Sequence, residues 1–267
     1  MYSTRIVLVG VNKSVVAVPA RLQSSRLPNK VLADIGGKPM IQRVLERCRQ
    51  ASSVEAVVLC TDSAELQSRA EGWGFPVLMT AESCTSGSER IASVAHPLMT
   101  LAWGAEDSVA EETAVINVQG DQPFIDPAVI DAMVEEFRRQ DPVPAVVTPV
   151  YGLQPESVHN PNVVKTLLAH DGRALYFSRS AIPHVRDVAE VDWYQHTTYW
   201  GHVGMYGFRG DVLAAWDQLP ASPLEDLERL EQLRLIEAGL TIATFPVQGT
   251  SLSVDTAEQL EQARAMV

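Results

Sequence analysis

The chain has 267 residues, 46% of them hydrophobic, which is enough to bury the core of one large α/β domain or of two small ones. Its formal net charge of −12 argues against non-specific binding to nucleic acid or to an anionic membrane surface. Its uninterrupted apolar stretches fall short of the roughly 18 residues that a membrane-spanning helix needs, and the run at 6–11 lacks a clear signal-peptide cleavage site. The three cysteines have no C-x-x-C spacing, so we expect buried free thiols and a cytoplasmic protein.

The first predicted element is a buried strand over residues 14–18, and a basic loop follows it. The loop carries Arg21, Arg26 and Lys30 within ten residues of an otherwise acidic protein. Two prolines and the polar run 23–25 argue against a regular helix there. A basic loop at the carboxyl end of a first strand suits a polyanion such as a nucleoside triphosphate. The alternative is a solvated surface loop with scattered charge.

Strands and helices alternate through the rest of the first half. The predicted strands are at residues 56–60, 75–79 and 114–118. The predicted helices are at residues 39–48, 64–73, 88–99 (disturbed by Pro97) and 126–140. Alternation at this short spacing is typical of a parallel, doubly wound sheet. Residues 104–112 are acidic and unpatterned, which indicates an exposed loop.

The second half is more mixed. The predicted strands are at residues 145–151, 163–168, 202–208 and 241–247. The predicted helices are at residues 223–238, ending at Gly239, and 256–266. An aromatic and polar stretch, residues 183–199, is expected to be a long loop or flap. With no inter-domain linker, the simplest organisation is one domain, 1–267, with a sugar-binding or dimerisation subregion at about 145–210.

Two aspartates stand out by their positions. Asp121 follows the strand at 114–118 directly, after Gly120, which permits close backbone approach. A carboxylate at the carboxyl end of a parallel strand points into the crevice where ligands bind. Asp255 stands between a short strand and the last helix, and capping of that helix is an equal alternative for it. Together the two carboxylates could hold Mg²⁺ with phosphate oxygens.

Other polar residues have two interpretations each. Arg179 follows an aromatic pair and could clamp a substrate carboxylate, or it could lie on the surface. His202 lies in an apolar strand, where a satisfied core histidine is the commoner role. Glu231 and Gln232 would normally face solvent on their helix.

Several segments, taken in chain order, carry a more specific signal. They include Val18-Pro19-Ala20-Arg21, Ser25-Arg26-Leu27-Pro28-Asn29-Lys30, Ser86-Gly87-Ser88-Glu89-Arg90, Asn117-Val118-Gln119-Gly120-Asp121-Gln122-Pro123, Tyr176-Phe177-Ser178-Arg179 and Val254-Asp255-Thr256. The ordered set resembles the 3-deoxy-manno-octulosonate (KDO) cytidylyltransferase family, the CMP-KDO synthetases. The segments around Arg179 and at Glu231-Gln232 favour this family over its relatives that activate sialic acid.

The resemblance implies a Rossmann-like α/β nucleotidyltransferase fold with a mixed, mostly parallel sheet flanked by helices. It implies an enzyme that uses CTP, KDO and Mg²⁺ to make CMP-KDO and pyrophosphate for lipopolysaccharide or a related cell-surface polysaccharide. It also implies a cytoplasmic homodimer without nucleic-acid or membrane partners.

The resemblance also assigns roles to residues of this chain. Lys30, Arg21 and Asp121 would be catalytic. The nucleotide would contact Ala20, Arg21, Arg26, Lys30, Ser86 and Gly87, and the metal would bind Asp121 and Asp255. The sugar pocket would consist of Gln119, Arg179, His202, Tyr206, Glu231 and Gln232.

Four stretches depart from the family pattern: residues 81–85, His184-Val185, Ser253 and the region 95–112, which is longer than usual. The first of these should read the base, so its departure bears on the selectivity for the base. Because of the departures together, we expect the reaction type to hold better than the identity of the sugar. The alternatives are a related nucleotidyltransferase with another sugar acid, such as a sialic acid, or another nucleotide, and a non-catalytic nucleotide-binding homologue.

Overall fold

The computed structural model describes residues 10–24, 27–104, 108–249 and 252–267. Its strands are β1 (Lys13–Ala20), β2 (Asp34–Ile35), β3 (Lys38–Pro39), β4 (Ala56–Thr61), β5 (Val77–Met79), β6 (Thr113–Asn117), β7 (Val146–Gly152), β8 (Lys165–Leu168), β9 (Ala174–Ser178), β10 (Trp200–His202), β11 (Tyr206–Arg209) and β12 (Ile242–Pro246). Its α-helices are α1 (Met40–Cys48), α2 (Ala64–Gly72), α3 (Gly87–Ala92), α4 (Ala95–Trp103), α5 (Pro127–Arg139), α6 (Gly210–Ala214), α7 (Pro223–Glu228), α8 (Gln232–Glu237) and α9 (Ala257–Ala265).

One mixed sheet organises the fold, in the order β5-β4-β1-β6-β11-β7-β10-β8-β9, with β12 also paired to β7. Seven of its ten strands run in one direction, and β9, β10 and β11 run in the other. The predicted α/β fold with a mixed, mostly parallel sheet is confirmed. Because β1 pairs in parallel with both β4 and β6, the carboxyl ends of these three strands lie along one edge of the sheet.

Strand β1 is buried on both faces, which explains its continuous apolar sequence. Successive side chains point to opposite faces, so Val16 and Val18 join one core while Val15 and Ala17 join another. The first core is completed by α1 and α5, and the second by α3 and α4. The sheet is therefore covered by helices on both faces.

Two predicted helices are each divided in two. The helix predicted at 88–99 breaks at residues 93–94, between α3 and α4, and α4 continues to Trp103. Pro97 falls in the first turn of α4, where the N–H groups have no intrahelical acceptor, so the missing N–H of proline costs the helix no hydrogen bond. The segment predicted at 223–238 breaks between α7 and α8, where Arg229 adopts a left-handed φ of 55°.

The strand predicted at 202–208 is also two strands, β10 and β11. Both run antiparallel to β7, but His202 pairs with Val150 whereas Gly207 pairs with Val147, so the register shifts between them. The Thr148 hydroxyl stabilises this bulge by donating to the carbonyl of Met205 at 2.7 Å. Strand β9 has no counterpart among the predicted elements.

The expectation of buried free cysteines is confirmed. Cys48, Cys60 and Cys84 are buried free thiols. Within the described segments, no helix combines the length and the apolar composition needed to cross a bilayer. The apolar run 6–11, which is not expected to be a signal peptide, lies outside the described residues except for its last two.

Candidate active site

A polar cleft lies at the carboxyl ends of β1 and β6. Eight residues predicted from the sequence for the nucleotide, metal or sugar line it together: Ala20, Arg21, Lys30, Ser86, Gly87, Gln119, Asp121 and Asp255. Arg26, also predicted for the nucleotide, lies outside the described residues. The basic loop and the segment after β6 thus face one another across the cleft.

Two glycines allow the loops of the cleft to approach this closely. A Cβ atom on Gly120 would lie 3.1 Å from the carbonyl oxygen of Pro19. A Cβ atom on Gly87 would lie 3.1 Å from the side-chain oxygen of Gln119. Both contacts are tighter than ordinary van der Waals distance, so a side chain at either position would push the walls of the cleft apart.

Lys30 connects the two predicted metal-binding aspartates. Its Nζ atom lies 2.7 Å from an Asp121 carboxylate oxygen and 2.8 Å from an Asp255 carboxylate oxygen. Burial alone would lower the pKa of the Lys30 ammonium, but the charges and hydrogen bonds of the two carboxylates outweigh it and raise the pKa. The cleft therefore keeps this cation charged at neutral pH.

The backbone brings the two aspartates together although they are distant in sequence. The Val254 N–H donates to the carbonyl of Asp121 at 2.9 Å. Asp255 does not cap the last helix: Thr256 is the N-cap of α9, in a capping box with Gln259. The Gln259 side chain also accepts the Asp255 N–H at 2.8 Å. The start of α9 therefore leaves the Asp255 carboxylate to the cleft.

The donor set at this point suits a hard cation. Two carboxylate oxygens converge on one positive centre, the Lys30 ammonium. In the described part of the chain, no group of three or more His, Cys, Asp or Glu side chains could enclose a metal. Mg²⁺ is typically bound by one or two carboxylates and completed by substrate phosphates and water, so the pair Asp121 and Asp255 fits it.

A buried ion pair beneath the cleft was not predicted as part of the site. Arg90 on α3 is only 3% exposed, and its guanidinium donates to the Asp62 carboxylate at 2.8 Å and to the Thr80 hydroxyl. It lines the same cleft as Ser86, the N-cap of α3. The sequence signal existed in Thr61-Asp62 and Ser86-Gly87-Ser88-Glu89-Arg90, but their spacing does not show that they pair.

Most of the predicted sugar residues form a second cluster beside the cleft. Gln119 donates to Asn117 at 3.3 Å, and Asn117 to Ser88 at 3.5 Å. Glu231 is hydrogen-bonded by Ser88, which is buried, and by Ser86, which lines the cleft. The chain of contacts thus leads from the cleft to the start of α8.

The other end of this cluster is aromatic. The Tyr206 hydroxyl donates to the Gln232 side-chain oxygen at 2.9 Å. The amide nitrogen of Gln232 is buried and has no hydrogen-bond partner among the described residues. The His202 ring packs on Tyr206 at 5.3 Å and on Phe177 at 5.0 Å between ring centroids. A buried donor without a partner marks a place where a polar ligand could bind.

Burial shifts three titratable groups in this cluster. It lowers the pKa of the His202 imidazole to about 3, so the ring is neutral at physiological pH. It raises the pKa of the Tyr206 phenol well above its ordinary value. It also raises the pKa of Glu231, together with the Glu225 charge, against the hydrogen bonds of Ser88 and Ser86.

Arg179 is placed differently from the other predicted sugar residues. It follows the last residue of β9, and its guanidinium donates to three backbone carbonyls, those of Glu228, Pro161 and Arg229. The Arg179 guanidinium therefore binds the turn between α7 and α8.

The fold and the cleft define an α/β protein of Rossmann type, with a polar cleft at the carboxyl edge of its parallel strands, the edge at which folds of this class bind ligands. The family model described as cytidylyltransferase matches residues 15–242. The chain is 37% identical over 257 residues to the 3-deoxy-manno-octulosonate cytidylyltransferase of Myxococcus xanthus, covering 96% of both chains. It is 38% identical over 256 residues to the enzyme of that name from Escherichia coli, again covering 96% of both.

A solved structure supports the same assignment. The structure of CMP:2-keto-3-deoxy-manno-octonic acid synthetase complexed with CTP matches 95% of this chain and 98% of its own, with a TM-score of 0.85 and 38% identity. The chain belongs to the cytidylyltransferase family, in its 3-deoxy-manno-octulosonate branch.

Proposed function

We propose that the chain is a nucleotidyltransferase that transfers the cytidylyl group of CTP to KDO and releases pyrophosphate. One observation carries the proposal: a single cleft combines the cations Arg21 and Lys30 with the carboxylates Asp121 and Asp255. Cations suit a triphosphate, and the carboxylates suit the divalent metal that accompanies it. The likeness to KDO cytidylyltransferases over nearly the whole chain supports the choice of substrates.

The nucleotide half of the site works by position and charge. The anomeric hydroxyl of the sugar acid attacks the α-phosphorus in line, the bond to the pyrophosphate oxygen breaks, and the hydroxyl proton passes to water. Lys30 and Arg21 neutralise the charge that grows on the leaving pyrophosphate. Ser86 and Gly87 border the cytosine and ribose. No covalent intermediate with the protein is required.

The proposal includes Mg²⁺, held by Asp121 and Asp255. When bound, the ion supplies charge neutralisation at the α-phosphate and lowers the pKa of the attacking hydroxyl. The two aspartates contribute fixed carboxylate oxygens, set in place by the Val254–Asp121 backbone hydrogen bond and by Gln259.

The sugar half of the site offers complementary hydrogen-bonding groups. The buried amide nitrogen of Gln232 is a donor that has no acceptor among the described residues, so a sugar oxygen could accept its hydrogen bond. The Thr148 hydroxyl donates to Met205, so we assign the proton between Thr148 and His202 to His202 Nε2. Nδ1 of the neutral ring is then an acceptor for a sugar hydroxyl. Gln119 and Glu231 connect this pocket to the nucleotide side.

The test is a pyrophosphate-release assay with Mg²⁺, each of the four nucleoside triphosphates, and KDO or a sialic acid. Among these combinations, only CTP with KDO is expected to release pyrophosphate. Release with another base or acid would identify a different nucleotidyltransferase, and CTP binding without release would support a non-catalytic homologue.

Replacement of one aspartate tests the mechanism. Asp121→Asn should keep its urea midpoint but lower kcat by about 100-fold or more, because a carboxylate that holds the metal is lost. Asp226→Asn, on the exposed face of α7, is the matched control and should retain wild-type turnover. Unchanged turnover of Asp121→Asn at saturating Mg²⁺ would remove Asp121 from the mechanism.

The proposal also extends to a cytoplasmic homodimer. Three buried free cysteines suit a reducing compartment. Within the subregion at about 145–210, Leu175, Val191 and Tyr194 expose large apolar side chains that a second copy could cover. Sedimentation of the wild type and of Val191→Glu measures the association state; a monomeric wild type would contradict the dimer.

A further inference from the structure

The turn between α7 and α8 is held from outside by one side chain. Arg179 donates through Nε to the carbonyl of Glu228 at 2.8 Å and through Nη2 to that of Arg229 at 3.5 Å. Through Nη1 it donates to the carbonyl of Pro161 at 3.2 Å. These bonds use three of the five guanidinium N–H groups and join the turn to the end of β9.

The Glu228 side chain binds the end of β9 in turn. Its carboxylate accepts the Arg179 N–H at 2.9 Å and the Ser178 hydroxyl at 2.6 Å. Arg179 and Glu228 are therefore bound to one another twice, each through its side chain to the backbone of the other. Such reciprocal bonds fix both the distance and the orientation of the two segments.

A buried lysine fixes the other side of Arg179. Lys165 on β8 is fully buried, and its Nζ donates to the carbonyls of Asn160 at 2.8 Å, Val163 at 2.7 Å and Arg179. Burial lowers the pKa of this ammonium. Three carbonyls satisfy its three N–H donors, and they tie the 160–163 turn and the end of β9 to β8, the strand next to the edge of the sheet.

The segment held in this way leads directly to the sugar-side cluster. Arg229 adopts a left-handed φ of 55°, a conformation that a residue with a side chain takes only when its surroundings enforce it. Two residues later Glu231 meets Ser86 and Ser88, and Gln232 meets Tyr206. The placement of these two side chains depends on the turn that precedes them.

We propose that Arg179 is a positioning residue, which together with Glu228 and Lys165 sets the α7–α8 turn and thereby orients Glu231 and Gln232 toward the sugar acid. The choice of sugar acid rests on the proposed function. Direct pairing of Arg179 with the substrate carboxylate is the competing role that the experiment must exclude.

The kinetic test compares Arg179→Gln and Glu228→Gln with Arg173→Gln, an exposed arginine paired with Asp171. Both turn variants should raise KM for the sugar acid by about tenfold and leave KM for CTP within about twofold, because the nucleotide half is untouched. Arg173→Gln should resemble wild type. An unchanged KM for the sugar acid in Glu228→Gln would overturn the proposal, since that carboxylate holds the turn as firmly as Arg179.

A neutral ligand separates positioning from direct pairing. The C1 amide of the sugar acid, used as a competitive inhibitor, keeps the hydroxyls but lacks the carboxylate charge. Arg179→Gln should weaken inhibition by the amide as much as it raises KM for the acid. An amide inhibition constant within twofold of wild type, beside a raised KM for the acid, would assign Arg179 to the carboxylate and refute positioning.

A third measurement is independent of catalysis. Hydrogen exchange of a peptide covering residues 222–239 should be faster in Arg179→Gln and Glu228→Gln than in wild type, and intermediate in Arg179→Lys, whose side chain is longer than that of Gln and keeps a charged donor. Equal exchange in all four proteins would overturn the proposal. If the wild type releases no pyrophosphate with KDO, the proposed function fails while this measurement still decides the role of Arg179.

Discussion

His202 provides a quantitative test of how burial acts on the sugar-side cluster. Its pKa in the folded protein is lowered to about 3 by burial, from an ordinary value of 6.5. As the pH falls from 6.5 toward 3, the unfolded chain takes up a proton at this residue and the folded chain does not. Acid therefore favours unfolding through His202, and stability from this group rises with pH across that window.

The magnitude follows from the width of the window. One pKa unit corresponds to about 1.4 kcal/mol, and pH 5 lies about 1.5 units below the ordinary pKa, so His202 should cost about 2 kcal/mol at pH 5 relative to pH 7. His202→Gln keeps a donor for the Thr148 hydroxyl but cannot titrate. The loss of stability between pH 7 and pH 5 should be smaller in the variant by up to about 2 kcal/mol.

Urea unfolding monitored by tryptophan fluorescence at pH 7, 6 and 5 gives the comparison directly. His170→Gln, at an exposed position, serves as the control for removal of a histidine outside the core. If wild type and His202→Gln lose the same free energy of unfolding between pH 7 and 5, His202 is not held neutral by burial. Its assignment as a neutral acceptor for a sugar hydroxyl would then be wrong as well.

Most of the first half of the fold could be predicted because its information is local; the exception is the helix predicted at 88–99, which breaks between α3 and α4. Strands β1, β4 and β6 are buried on both faces and are therefore continuous apolar runs. Helix α5, which follows β6, begins at a recognisable cap, Asp126, whose side chain accepts the Ala128 N–H. Nothing distant is needed to recognise such elements.

The second half was divided wrongly because distant residues impose its breaks. The helix predicted at 223–238 ends early where Arg179 binds the carbonyls of Glu228 and Arg229. The strand predicted at 202–208 bulges where Thr148 supplies a hydroxyl to Met205. Local propensity contains neither contact, so periodicity alone extends both elements too far.

The same distinction applies to the site. The position of Asp121 in the cleft could be predicted because residues at the carboxyl end of a parallel strand face the crevice of the sheet. The pairing of Lys30 with both Asp121 and Asp255 could not, because it depends on how the start of α9 meets the segment after β6. Arg90 escaped prediction for a similar reason: its partner Asp62 stands on another loop.

Two further predictions concern the groups that hold the cleft in shape. Arg90→Leu should lower the free energy of unfolding by about 3–5 kcal/mol, because it leaves the partly buried Asp62 carboxylate without its partner. The control Arg69→Leu, at an exposed ion pair, should lower it by less than about 1 kcal/mol. Equal losses of the two variants in urea titrations would contradict this prediction. The second prediction concerns Gln259, whose side chain accepts the N–H groups of Asp255 and of the helix cap that follows it, at 2.8 and 3.1 Å. Gln259→Ala should therefore cost about 1 kcal/mol of stability through the lost capping box. It should also raise the Mg²⁺ concentration for half-maximal rate, because the Asp255 backbone loses its anchor, whereas Gln259→Glu retains the acceptor and should restore both. A Gln259→Ala variant with lower stability but an unchanged Mg²⁺ requirement would show that the start of α9 does not control the metal-binding carboxylate.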